Sequence, residues 1–264
     1  MLRPIEHLKG YAIRATDDEL GKVEEVYFDD QQWGVRYVVV RPGSWFTRRS
    51  VLISPHSITG IDDEDETVLV ALTREQVKSS PDIDVHQPVS RQMEREHATY
   101  FGYNAYWMGP YLWGAGRYPV ASLPEADMTP QVDPLRHEAA QAQREQASHS
   151  DDDMHLRSSN SVQGYAIAGA DGDIGHVEDI LFDDESWAVR YLVVDTRNWL
   201  PGGKKTVISI HWIENISWLE SSVQVRLTRE QIKNSPEYDE QAPLDRDYED
   251  RLHQHYGRPG YWDL

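Results

Sequence analysis

Cysteine is absent from the 264 residues, which excludes disulfides, thiolate catalysis and cysteine-held zinc. Basic residues are scarce, with 26 Lys and Arg against 45 Asp and Glu and a formal net charge of -19. A phosphate backbone is neutralised by clustered Lys and Arg, so nucleic acid is not an expected partner. The same repulsion disfavours anionic membrane surfaces and leaves a membrane only as a peripheral contact. Long apolar runs are missing as well. The opening MLRPIEHLKGYAI has no basic segment leading into an apolar core, so a cytoplasmic rather than a secreted protein is expected. The longest uncharged stretch, Ala98 to Gly116, is interrupted by Pro110 and four glycines and reads as an interfacial or protein-contact segment, not a spanning helix. Gly-rich phosphate loops, nucleophile–base pairs and zinc spacings are also lacking, so neither an enzyme nor a cofactor is expected.

What is present is a repeat. Gly10-Tyr11-Ala12-Ile13 recurs as Gly164-Tyr165-Ala166-Ile167, 154 positions on. The same shift aligns Gly21 with Gly175, Phe28-Asp29-Asp30 with Phe182-Asp183-Asp184, and Trp33 to Tyr37 with Trp187 to Tyr191. One residue then enters near Gly202 to Lys205, after which His56 meets His211 and Thr73-Arg74-Glu75-Gln76 meets Thr228-Arg229-Glu230-Gln231. The repeat runs on into a tail, where Pro88, Arg91, Glu94, Gly102 and Tyr106-Trp107 match Pro243, Arg246, Glu249, Gly257 and Tyr261-Trp262. These boundaries give a first barrel at 1–85, a helical aromatic tail at 86–107, a linker at 108–160, a second barrel at 161–240 and a second tail at 241–264. The linker is rich in Pro, Ala, Gln, Ser and Asp, a composition that buries too little apolar surface to order itself, with a transient helix expected around Leu135 to Gln146.

Within each copy Val23, Val26 and Phe28 precede an Asp-rich turn, and Trp33, Val35, Tyr37 and Val39 follow it with period two, the mark of a β-hairpin. Short strands are expected at about 50 to 54, 58 to 62 and 67 to 72, a spacing that suits a small closed barrel. Thr73 with Gln76, and Thr228 with Gln231, have capping-box spacing, and Pro81 and Pro236 end those short helices. Val89, Met93 and His97 or Tyr100, and Leu244, Tyr248 and Leu252, mark one face of a second short helix in each copy. The fold class is therefore all-β: two small barrels, each followed by a short helix and an aromatic tail, joined by a flexible linker.

The run G-Y-A-I-x(7)-G-x-V-E-(E/D)-x(2)-F-D-D-x(2)-W-(G/A)-V-R-Y-(V/L)-V-V, followed by L-T-R-E-Q-(V/I)-K-x-S-P, resembles the PRC-barrel family in both copies, over roughly residues 7 to 85 and 161 to 240. That family includes the cytoplasmic domain of the photosynthetic reaction-centre H subunit and the C-terminal domain of the ribosome-maturation factor RimM. The resemblance implies a small β-barrel that serves mainly as a protein-docking module, often dimeric, with no catalytic residues to carry over.

His56 and His211, with no second histidine or fixed carboxylate near them in sequence, read as structural, while His253 and His255 correspond to Ala98 and Tyr100 in the other copy, which rules out a repeated metal site there. Asp29-Asp30 and Asp183-Asp184 read as turn formers rather than cation ligands, and Asp62 to Glu66 as a solvated turn. Arg36 and Arg190 are expected to point outward and bridge to Glu24 and Glu178. Trp45 and Trp199 read as plugs over a barrel mouth, with a ligand contact there as the alternative. The aromatic tails leave two readings open, packing on the protein itself or gripping another protein. The candidate interaction residues are Tyr100, Phe101, Tyr103, Tyr106, Trp107, Tyr111, Trp113, Tyr256, Tyr261 and Trp262. The expected role is a non-enzymatic docking or scaffold protein with a protein partner, its barrels pairing within one chain or as a homodimer. The alternative is an accessory factor at a membrane photosynthetic or electron-transfer complex.

Overall fold

The structure, a computed structural model, describes residues 1–43, 50–81, 89–119, 155–197, 202–242 and 244–263. Trp45, Trp199, Pro88, Pro243 and the expected helix at Leu135 to Gln146 lie outside the described residues. In chain order the first copy contains β1 (Leu2–Pro4), α1 (Ile5–Leu8), β2 (Ala12–Arg14), β3 (Glu19–Asp29), β4 (Gly34–Pro42), β5 (Val51–Ile53), β6 (Ile58–Asp62), β7 (Thr67–Val70), α2 (Arg74–Lys78) and α3 (Arg91–Phe101). The second contains β8 (Leu156–Ser158), α4 (Ser159–Val162), β9 (Ala166–Gly169), β10 (Gly172–Asp183), β11 (Val189–Asp195), β12 (Lys205–Ser209), β13 (Ile213–Ser217), β14 (Ser222–Val225), α5 (Arg229–Lys233) and α6 (Arg246–Tyr256). Residues 155 to 160, read from the sequence as the end of the linker, thus hold β8 and the start of α4.

Two seven-stranded sheets result, with the all-β class read from the sequence. Their paths are β5-β4-β3-β2-β7-β6 and β12-β11-β10-β9-β14-β13, with the β2–β7 and β9–β14 pairs parallel. The hydrophobic alternation buries Val23, Val26 and Phe28 of β3, Val35 and Val39 of β4, Val177 and Phe182 of β10, and Val189 and Val193 of β11, all nearly inaccessible. Gly21 and Gly175 occupy sites where chains pass closely. A Cβ at Gly21 would stand 2.1 Å from the Arg41 carbonyl oxygen, and one at Gly175 2.0 Å from that of Asp195. The capping boxes form as read: Thr73 Oγ1 accepts from Gln76 N at 3.2 Å while Gln76 Oε1 accepts from Thr73 N at 2.8 Å, and Thr228 with Gln231 does the same.

Contacts divide the chain into two compact units, one of Met1–Tyr11, Val23–Val38 and Arg157–Leu264, the other of Ala12–Lys22 and Val39–Leu156. The division does not follow the repeat. The N-terminal arm and the turn end of the β3–β4 hairpin group with residues of the second copy.

Candidate protein-interaction site

The reason for that grouping is an exchange of arms. β1 precedes the first barrel in sequence but pairs with β10 in the second copy's sheet, Leu2 opposite Asp183, Arg3 opposite Phe182 and Pro4 opposite Leu181. Reciprocally, β8 precedes the second barrel and pairs with β3. Arg3 Nε donates to Asp184 Oδ2 at 2.6 Å, and Arg157 Nε to Asp30 Oδ2 at 2.6 Å. The two ion pairs join corresponding residues of the two copies. The N-terminal ammonium adds a further bond to Asp184. Helical turns follow each arm: Ile5 and Leu8 are buried in α1, Val162 in α4, and Ser159 Oγ accepts from Val26 N at 3.2 Å.

The hairpin turns make a second reciprocal joint. Gly34 and Ala188 form an antiparallel bridge, Val35 N donates to Trp187 O at 2.8 Å, and Val189 N donates to Trp33 O at 2.7 Å. Trp33 and Trp187 both hold φ at 58°, in the left-handed region, where a side chain is strained. Trp33 stacks on Phe28 at 5.6 Å and Trp187 packs at a 30° tilt on Phe182 at 5.1 Å, which fixes their rings.

As read, Asp29 shapes its own turn, Oδ1 accepting from Gln31 N at 2.8 Å and Gln32 N at 3.1 Å. Its other oxygen overturns the outward placement of Arg36. That side chain is only 1% exposed, with Nη2 donating to Gln32 Oε1 at 2.8 Å and lying 3.4 Å from Asp29 Oδ2. The turn folds the carboxylate back beneath β4, so a buried arginine finds its counter-charge there rather than at Glu24. Arg190 likewise lies near Ser186 Oγ (3.4 Å) and Asp183 Oδ2 (3.7 Å) under the Tyr261 ring, and Glu178 is taken by Lys205 at 2.6 Å.

Of the ten candidate aromatics, Phe101, Tyr103, Tyr106, Trp113 and Tyr256 are buried, Tyr100, Trp107, Tyr261 and Trp262 half-buried, and Tyr111 exposed. In the first copy His97 Nε2 donates to Leu52 O at 3.0 Å and Tyr100 OH to Gln76 O at 2.9 Å, which fastens α3 to strand and helix. His56 is buried against Tyr103 at 5.2 Å and Trp113 at 4.8 Å, the structural role read for it. Beneath Tyr106 lies a closed network. Tyr106 OH donates to Glu94 Oε1 at 2.6 Å and accepts from Arg91 at 2.8 Å, and His155 Nε2 donates to Glu94 Oε2 at 2.8 Å. The Arg91 guanidinium also stacks on Trp107 at 4.5 Å.

In the second copy Tyr191 OH donates to Glu249 Oε1 at 2.8 Å and meets His253 Nε2 at 2.9 Å, while Arg246 stacks on Trp262 at 4.0 Å. Burial, then the Glu249 carboxylate, pushes the Tyr191 phenol far above its ordinary value, so it stays a donor. Trp212 packs on His253 at 5.1 Å and Tyr256 at 4.6 Å, whereas His211, the counterpart of His56, is exposed.

The sequence reading missed the arms. Their signal was there, since Leu2-Arg3 recurs as Leu156-Arg157 at the shift of 154. Groups of three or more side chains able to hold a metal do not occur among the described residues, and no described helix is long and apolar enough to cross a membrane.

No curated protein matches the chain. The family model of the PRC-barrel domain matches residues 4–77 and 154–232, more than half of the chain and both copies of the sheet described above. With its doubled sheets and capped helices, the chain belongs to the PRC-barrel domain family and carries that domain twice.

Proposed function

We propose that the protein is a non-enzymatic, cytoplasmic docking scaffold whose two barrels act as one pseudo-dimeric body and offer an acidic surface to a protein partner. The observation that carries this reading is the reciprocal exchange of β1 and β8 with the matched ion pairs Arg3–Asp184 and Arg157–Asp30. Joined arms give each barrel a strand it lacks, and a tether keeps the donor at high effective concentration. The buried ionisable groups support the same reading, since Arg36, Glu94 and Glu249 are engaged in bonds that hold turns and tails in place. Exposed acidic side chains gather on the β6–β7 turn at Asp63, Glu64 and Asp65.

The test is affinity capture from native cells of the wild type and of a variant with Asp63, Glu64 and Asp65 changed to serine, paired with small-angle scattering. A partner lost only from the variant is expected, with a scattering curve of one body. Two independently tumbling barrels, or no partner in either sample, would sink the reading.

A second reading, an accessory factor at a membrane photosynthetic or electron-transfer complex, draws on the exposed apolar side chains at Met108, Tyr111 and Tyr118.

A further inference from the structure

Beyond the first aromatic tail, and outside both stretches matched by the family, lies a loop unlike the rest of the surface. Six large apolar side chains are exposed among the described residues, and three of them, Met108 at 78%, Tyr111 at 45% and Tyr118 at 55%, belong to this loop. The loop is preformed. Tyr111 N donates to Gly114 O at 3.1 Å, Gly114 N returns a bond to Tyr111 O at 3.0 Å, and Trp113 N donates to Gly116 O at 3.0 Å. Trp113, 3% exposed and packed on His56, anchors it from below. Its exposed side chains are therefore presented on a rigid turn.

Charge sets the loop apart as well. In a chain with 45 acidic residues, none occurs between Glu96 and Glu125. The loop's one strong charge is Arg117, whose guanidinium lies 5.7 Å from the centre of the Tyr111 ring. Tyrosine, methionine and a single arginine beside an aromatic are side chains suited to the boundary between headgroups and acyl chains, where an apolar body and a wet polar tip are both accommodated.

We propose that this loop is a wedge that seats the protein on a bilayer of zwitterionic headgroups, with Met108, Tyr111 and Tyr118 entering the interface. A stable protein–protein interface buries about 800 Å² per partner across some 20–30 residues a side, which three side chains on one turn do not supply. A bilayer needs no matching surface and rewards each inserted side chain separately. Net charge of -19 opposes anionic leaflets, so the preferred surface is neutral. The inference deepens the second reading above, on which its membrane setting rests, yet requires lipid alone.

The full-length protein is floated with phosphatidylcholine vesicles, and separately with vesicles containing added phosphatidylglycerol. Binding to phosphatidylcholine that survives high salt, and weaker binding once anionic lipid is added, are expected. The triple variant Met108→Ser, Tyr111→Ser, Tyr118→Ser should lower the partition coefficient at least about tenfold. Its circular dichroism should match the wild type, because all three side chains are exposed. A wild type that does not float, or a triple variant that floats equally well, overturns the proposal. So does a variant that loses capture of a protein when neither form binds vesicles, since the loop's partner is then a protein. If the wild type floats but captures no membrane complex, the accessory-factor reading fails while the lipid contact stands.

Discussion

Gly34 and Ala188, the same position of the two copies, face each other in an antiparallel bridge. Two hydrogen bonds flank it, each ending on the carbonyl of a tryptophan in the left-handed conformation. Each turn closes with a bond from the tryptophan N–H, to Asp29 O at 2.8 Å for Trp33 and to Asp183 O at 2.7 Å for Trp187. Each tryptophan in this strained conformation presents its own carbonyl to the other copy. Strain persists where surrounding contacts over-determine it, and here the Phe28 and Phe182 rings packed on the tryptophans do so.

That account predicts an inverted glycine effect. Trp33→Ala and Trp33→Gly both lose the Phe28 stack, but only alanine keeps the penalty of positive φ. Trp33→Gly should be the more stable of the two by about 1 kcal/mol in urea unfolding. Alanine equal to or better than glycine would show that the turn relaxes out of the left-handed region.

The arms should respond to their carboxylates. Asp184 N donates to Met1 O at 3.0 Å, so its amide reports directly on β1. Arg3→Ala should speed hydrogen exchange at Asp184 and cost about 1 kcal/mol, with Arg157→Ala behaving alike at the other arm. Unchanged exchange would mean that Leu2, Ile5 and Leu8 alone hold the arm.

Much of the core was legible because its signals are local. Alternating Val and Phe, the Asp turns and the Thr–Gln caps each act within a few residues, and the strands at 51–53, 58–62 and 67–70 lie where period and punctuation put them. The arms escaped because a three-residue strand is too short to show a period, and nothing near Leu2 in sequence identifies β10 as its neighbour. Arg36 was misplaced for a related reason. Alternation marks a face, but a residue flanked by apolar neighbours beside a turn can satisfy its charge inside, and only the folded turn brings Asp29 beneath it. The tail aromatics stand out in the sequence, yet composition alone could not separate Tyr106, buried over Glu94, from exposed Tyr111.

Half-buried Asp179 and buried His97 should bend the stability–pH curve in opposite directions. Burial raises the Asp179 carboxyl from 3.8 to about 7, partly offset by N–H bonds from Ile180 and Glu6. Its folded form holds a proton that the unfolded chain releases, so this contribution is complete below about pH 4 and is lost as pH rises through about 7. Burial lowers His97 from 6.5 to about 4, so its contribution is complete above 6.5 and is lost as pH falls through about 4. Each slope is at most about 1.4 kcal/mol per pH unit. Asp179→Asn should therefore remove a loss on the neutral side, and His97→Gln a loss on the acid side. Urea midpoints measured from pH 4 to 8 check both, and parallel curves for wild type and variants would refute the assignment.

The two tails carry corresponding Arg, Glu, Tyr and Trp residues, but their carboxylates are not equally enclosed. Glu94 is 0% exposed and serves Tyr106, Arg91 and His155, of which Arg91 and His155 are themselves buried or nearly so. Glu249 is partnered by Tyr191 and by an Arg246 side chain that is 50% exposed. Neutralising a carboxylate costs most where the donors left behind cannot reach water. Glu94→Gln should therefore cost about 3 kcal/mol, while Glu249→Gln should cost about 1 to 2 kcal/mol because Arg246 can turn to solvent. Thermal unfolding of the two variants side by side decides the point. If Glu249→Gln is the more damaging, the tails are held by their aromatic stacks and the carboxylates only fill space beneath them.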